Sequence, residues 1–164
     1  MRIFVFCLLC LVLLVGACGE SAKEAAMEKK IKEATGSDAD VDLSKEGVKI
    51  TGETEEGEFA LTTGEETEIP DDFPDDVFLY SPSKTMMAMK VPDGHSVSLI
   101  TKDDKTKVVD AYKREMGAKG WTEEAVMSMG KNMMFTYKKD GRITGINFAP
   151  NDEGLQIIVT TGKE

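Results

Sequence analysis

Beyond residue 18 the chain has no cysteine, because its three cysteines are Cys7, Cys10 and Cys18. That excludes a disulfide framework, a thiolate nucleophile and a cysteine-based metal site from everything downstream. Histidine is as scarce. His95 stands alone, directly after Gly94 in a turn-forming stretch. A catalytic or metal-binding histidine needs partners that converge on it, and this one reads as a solvated turn residue. A nucleophile elbow, a phosphate loop, a dinucleotide fingerprint and zinc-ligand spacing are all missing. We therefore expect no enzyme, no catalytic residue and no cofactor.

Positive charge is in short supply too, with 20 Lys and Arg against 30 Asp and Glu, a net of −10. The deficit is local. Residues 18–80 carry 19 acids and 6 bases, whereas residues 81–164 carry 11 acids and 13 bases. An acidic first half argues against nucleic acid as a partner and against electrostatic adhesion to anionic lipid.

Long apolar runs are absent with one exception. Arg2 is followed by thirteen apolar residues, 3–15, then by Gly16, Ala17 and Cys18. Thirteen is too few for a membrane-spanning helix, which needs about 20, but suits the apolar core of a secretory signal. The row Val15-Gly16-Ala17-Cys18 resembles the lipobox of bacterial lipoprotein precursors, with Val15 where that pattern most often has Leu. An ordinary signal peptide with an incidental cysteine is the alternative. The lipoprotein resemblance implies cleavage before Cys18, a diacylglyceryl group on its thiol and acylation of the new amino terminus, as with palmitate. Two or three such chains anchor a protein durably, at about 0.8 kcal/mol per buried methylene. It also implies a cell-envelope protein facing the periplasm. Gly19 replaces the aspartate that favours inner-membrane retention in that family, so the outer membrane is favoured.

Five segments follow from punctuation and periodicity: a signal peptide over 1–17, a lipid-anchored helical spacer over 18–36, a small β-meander over 37–64, an acidic connector over 65–80 and an α+β domain over 81–164. The spacer helix shows a thin stripe of Ala22, Ala25, Ala26 and Ile31, with Gly36 as its stop. "VDLS", "VKIT" and "FALT" alternate at period two between Gly47, Gly52 and Gly57, a meander too small to stand alone. Phe73, flanked by Pro70 and Pro74, reads as an apolar peg that fastens the connector.

In the last segment, strands are expected over 85–91 and 96–101, a helix over 104–119 capped near Asp103 or Thr101, and strands over 123–129, 132–138, 142–149 and 155–161. Val108, Tyr112 and Met116 recur every four residues on the helix, and Gly120 suits its C-terminal stop. The order β-β-α-β-β-β-β implies an antiparallel sheet of about six strands with one helix on a face, preceded by a short helix and the meander. The row "VVDAYKREMGAKGW", residues 108–121, resembles a stretch of small secreted and lipidated bacterial domains of unassigned role. The helix-over-sheet order is similar to helix-grip domains of lipoproteins in outer-membrane assembly machinery.

Two patterns invite a ligand. Asp38, Asp40 and Asp42 begin like a calcium loop, but the glycine and glutamate positions hold Leu43 and Lys49. Methionine is abundant, with 10 in the chain, and thioethers are soft ligands that select Cu(I). Met87, Met89, Met127, Met129 and Met133 are the candidates. They share their period-two faces with Val91, Ala125, Phe135 and Tyr137, as flexible packing residues would. On that pattern Met87, Met127 and Met133 are expected to be buried, with Met86 and Met134 on the opposite side. The expected function is a non-enzymatic binding or envelope-assembly module, held to the membrane through Cys18 and working with an unidentified protein partner. The alternative is a small-ligand carrier, for Cu(I) or for an apolar molecule between helix and sheet.

Overall fold

A computed structural model describes residues 20–44, 47–64 and 67–164. The elements run α1 (Glu20–Thr35), β1 (Ala39–Leu43), β2 (Gly47–Thr54), β3 (Gly57–Gly64), β4 (Lys84–Val91), β5 (Gly94–Thr101), α2 (Lys105–Ala118), β6 (Thr122–Met129), β7 (Asn132–Lys139), β8 (Arg142–Asn151) and β9 (Gly154–Lys163). The expected signal peptide and lipidation site at Cys18 lie outside the described residues.

All nine strands join one antiparallel sheet in the order β1-β2-β3-β4-β5-β9-β8-β7-β6. This corrects the expected six-stranded sheet with one packed helix. The meander does not sit on the larger sheet; β3 pairs edge to edge with β4, Leu61 opposite Met89 and Thr63 opposite Met87. Edge pairing is the natural outcome, because an uncovered strand presents a row of unmet N–H and C=O groups.

Paired residues share a face, and the registers therefore assign both faces. On one lie Val97 and Leu99 of β5, Ile157 and Val159 of β9, Ile146 and Phe148 of β8, and Phe135 and Tyr137 of β7. α2 covers that face with Val108, Tyr112 and Met116, all fully buried. Asp104 caps the helix by accepting from the Thr106 N–H at 2.8 Å, one residue beyond the expected cap. Gly120 takes the left-handed conformation, φ +83°, that turns the chain back, so that Trp121 N–H reaches the Met116 carbonyl at 3.0 Å. Helix α2 then connects β5, in mid-sheet, to β6, at the edge.

α1 covers the opposite face at the other end of the sheet. Met27 and Ile31 are buried against Val41 and Ile50. The expected alanine stripe is not the contact: Ala22, Ala25 and Ala26 are exposed. Glu28 and Glu24 accept hydrogen bonds from the N–H groups of Val41, at 3.3 Å, and Leu43, at 3.0 Å. α1 is therefore a second packed helix that also caps the β1 edge.

Candidate functional site

The layer between α2 and the sheet is the larger of the two apolar clusters among the described residues. Tyr112, Met116, Phe135, Phe148 and Ile157 fill it, each under 2 % exposed. Phe148 meets Tyr112 and Phe135 edge-on, at centroid distances of 5.4 and 5.8 Å, the arrangement aromatic quadrupoles favour.

One flank of this layer is closed by the connector. Phe73, Val77 and Tyr80 are buried there, so the expected peg at Phe73 is in place. The Tyr80 N–H donates to the Tyr112 hydroxyl at 3.3 Å, and the Trp121 indole N–H donates to the Asp76 carbonyl at 2.7 Å. The Asp76 carboxylate receives Arg142 through Nη1 at 2.9 Å and Lys139 Nζ at 2.7 Å. Arg142 in turn lies 5.0 Å from the Trp121 ring. Hydrogen bonding to Arg142, helped by Lys139 and opposed by partial burial, holds the Asp76 carboxyl far below the usual carboxylate range. Nearer the β4–β5 turn, Asp72 bonds His95 Nε2 at 3.1 Å and Lys90 at 2.7 Å. His95 also stands edge-on to Phe73, 5.7 Å between centroids. It is a half-buried anchor for the connector rather than a solvated turn residue.

The other flank is bordered by β6, whose residues are all exposed. Tyr137 faces Glu123 of β6 across the strand pair and is only 2 % exposed, yet its hydroxyl has no hydrogen-bond partner among the described residues. Burial, reinforced by the negative charge of Glu123, pushes this phenol up to about 12. It is thus a neutral donor at physiological pH. Beside it Phe135 stacks at 6.1 Å, and Lys113 passes 5.3 Å from the Phe135 ring. An orphaned buried hydroxyl costs about 1–3 kcal/mol. Periodicity had placed Tyr137 with Phe135 and Met133 but could not show that its hydroxyl would lack a partner.

The methionines separate. Met133 packs half-buried against the α2 core. Met87 and Met127 lie on the opposite face, in one row that runs through Ser98, Ile158, Asn147 and Met134. Four strands stand between them, about 24 Å at the usual strand spacing. Met89 stays near Met87, and Met129 near Met127, so the five candidates do not converge on one ion. Met127 was expected to be buried on the side opposite Met134; it is 52 % exposed and shares Met134's face, as Met87 does, and Met87 and Met133 are only half-buried. Period two assigns Met127 correctly to a face with Ala125 and Met129, but β6 is the sheet edge and nothing covers that face there. Among the described residues no cluster of three or more His, Cys, Asp or Glu could hold a metal ion. None of their helices is long and apolar enough to cross a membrane.

One open groove of about 660 Å³ lies over β1–β3, lined by Asp38, Asp40, Glu53, Glu58, Phe59 and Lys90 among others. Ala39, Phe59 and Ala60 share its walls with these charged residues. No curated protein and no solved structure matches the chain. Residues 83–159, just under half of it and reaching from the start of β4 into β9, match the family model described as START domain-like.

Proposed function

We propose that this chain is a non-enzymatic binding protein of the cell envelope, lipid-anchored through Cys18, whose START domain-like part takes a small apolar ligand between α2 and the sheet. The START-like fold often binds small apolar ligands. The observation that carries the reading is the Tyr137 hydroxyl, a buried neutral donor without a partner among the described residues at the edge of the apolar layer. Its cross-strand neighbour Thr144, also buried, donates its own hydroxyl to Thr161 at 2.8 Å and is not available to it. A ligand with one hydrogen-bond acceptor would satisfy it. The nearby Glu123 charge makes a neutral acceptor, such as an ester, amide or hydroxyl oxygen, more suitable than an anionic head. Because the layer is already full, the guest must displace side chains. Met116 and Met133 are the ones best able to repack. Entry from the β6 flank fits the architecture, since the connector is fastened across the other side.

Native mass spectrometry of the protein extracted gently from its membrane tests the ligand. A small molecule at near-stoichiometric occupancy that falls at least tenfold in Tyr137→Phe is the expected result. Without a ligand, that substitution removes an unpaired hydroxyl and should leave stability unchanged or raise it. Absence of a bound molecule in the parent would overturn the carrier reading. The anchor is tested separately: Cys18→Ala should accumulate unprocessed precursor or leave the lipid-anchored fraction. Normal processing and unchanged detergent partitioning would refute the anchor.

A further inference from the structure

The two edges of the sheet are treated differently. At β1, two outward backbone N–H groups are occupied by the carboxylates of Glu24 and Glu28. At β6 all eight residues are exposed, and the strand pairs only with β7. Of five exposed large apolar side chains among the described residues, three sit on β6, Val126, Met127 and Met129, and a fourth, Met134, stands beside Met127 on β7. A long, apolar, uncovered edge is what soluble proteins otherwise protect against.

We infer that β6 is the interface for a second copy of this chain, the two β6 strands pairing antiparallel about a two-fold axis at Met127. Such an interface must be self-complementary, and the sequence of β6 meets that condition. With the axis at Met127, Val126 lies opposite Ser128 of the second copy, and Ala125 opposite its Met129. Each pair matches in face: Val126 and Ser128 look toward the α2 side, where they pair with Phe135 and Met133, and Ala125 and Met129 look away from it, where they pair with Thr136 and Asn132. The two Met127 side chains meet at the axis. Charge completes the match. Glu123 and Glu124, at the acidic start of the strand, come opposite the Gly130–Lys131 turn, where the Lys105 ammonium also lies, 2.8 Å from the Lys131 carbonyl. A hairpin acidic at the start of β6 and basic at the turn that ends it is complementary to a second copy of itself in the antiparallel arrangement. The bulge between Glu123 and Ala125 places one extra acidic residue at that end.

Zero-length carbodiimide coupling of the full chain tests this. Within one copy, Glu123 stands near the start of β6 and Lys131 in the turn beyond its end, more than about 20 Å apart at the usual rise per strand residue. A bond between Glu123 or Glu124 and Lys131 therefore requires two copies. Tryptic mass mapping identifies it directly, because the linked product contains residues 120–131 twice. The expected results are this product, its loss in Met127→Lys and in Glu123→Lys/Glu124→Lys, and a link of reversed polarity between the same positions when Lys131→Glu is added to the latter. Met127 is exposed, so Met127→Lys should unfold within a few degrees of the parent, checked by circular dichroism. A single-copy mass by sedimentation equilibrium in matched-density detergent, or links that join other surfaces or a different protein to β6, would overturn the inference.

Discussion

Two helices cover one sheet on opposite faces, and they do so on different scales. α2 closes a cluster of eighteen buried residues that spans β5, β9, β8 and β7 and the connector, whereas α1 closes a cluster of four over β1 and β2. The sheet is continuous between them, yet β3 and β4 share only four paired positions. The comparison teaches that a continuous hydrogen-bonded sheet need not be a uniform energetic unit. Apolar burial near about 25 cal/mol per Å² sets local stability, so the α1 end should open at lower cost than the α2 end.

The largest expected effect tests that contrast. Trp121 is buried, donates its indole N–H to the Asp76 carbonyl and carries Arg142 on its ring. Trp121→Ala should lower global stability by about 3–5 kcal/mol, read as a strong drop in the denaturant midpoint. Ile31→Ala, in the small cluster, should leave the main transition nearly in place and accelerate amide exchange in β1–β3. Equal loss of the main transition in both variants would show that the two cores unfold as one.

A middle-sized effect resides in the ion-pair cluster that fastens the connector to the large core. Asp76 accepts from Arg142 and Lys139, with its side chain 28 % exposed. Because its carboxyl titrates far lower when folded than when unfolded, its stabilisation is complete above the unfolded value, about 3.9. It is lost as pH falls toward the folded value. Asp76→Asn should cost about 2 kcal/mol at neutral pH, the scale of a partly exposed charge-assisted hydrogen bond, and should flatten the acid limb of a stability–pH curve. The α1 end has no matching cluster among the described residues, so its exchange rates should follow pH without that acid step.

Much of the larger half was legible in the sequence. The run Asn132–Lys139 alternates so clearly that Phe135 and Tyr137 could be assigned to one face, and the four-residue spacing of Val108, Tyr112 and Met116 marked the buried side of α2. Alternation tells which residues share a face, not whether anything covers it, and so Met127 was expected inside and is outside. The joining of β3 to β4 was illegible for a different reason: strand edges pair through backbone groups, which every residue except proline carries alike. α1 was misread because its contact with the sheet rests on Met27 and Ile31 plus two glutamates bonded to backbone N–H groups, and a glutamate used in this way looks like any solvated acid. The partnerless Tyr137 hydroxyl left no trace in the pattern at all.

The smallest expected effect concerns those glutamates, and it sharpens the contrast between the edges. Glu24 and Glu28 side chains accept from Leu43 and Val41, positions that are half-buried or buried in β1. In Glu24→Ala/Glu28→Ala these N–H groups turn to water rather than remaining unsatisfied, because they lie at an edge. The cost should therefore be that of an ordinary hydrogen bond, about 0.5–1.5 kcal/mol each. Met27 and Ile31 keep α1 on the sheet, so the helix should stay folded. Amide exchange at Val41 and Leu43 should speed up by about tenfold, the factor that corresponds to 1.4 kcal/mol at room temperature, while exchange in β7, β8 and β9 stays unchanged. With the β1 edge then uncapped, concentration-dependent association through β1 should appear in sedimentation velocity, and none is expected through that edge in the parent. If exchange at Val41 and Leu43 does not change, the glutamates do not protect β1, and the asymmetry between the two edges must come from the packing of α1 alone.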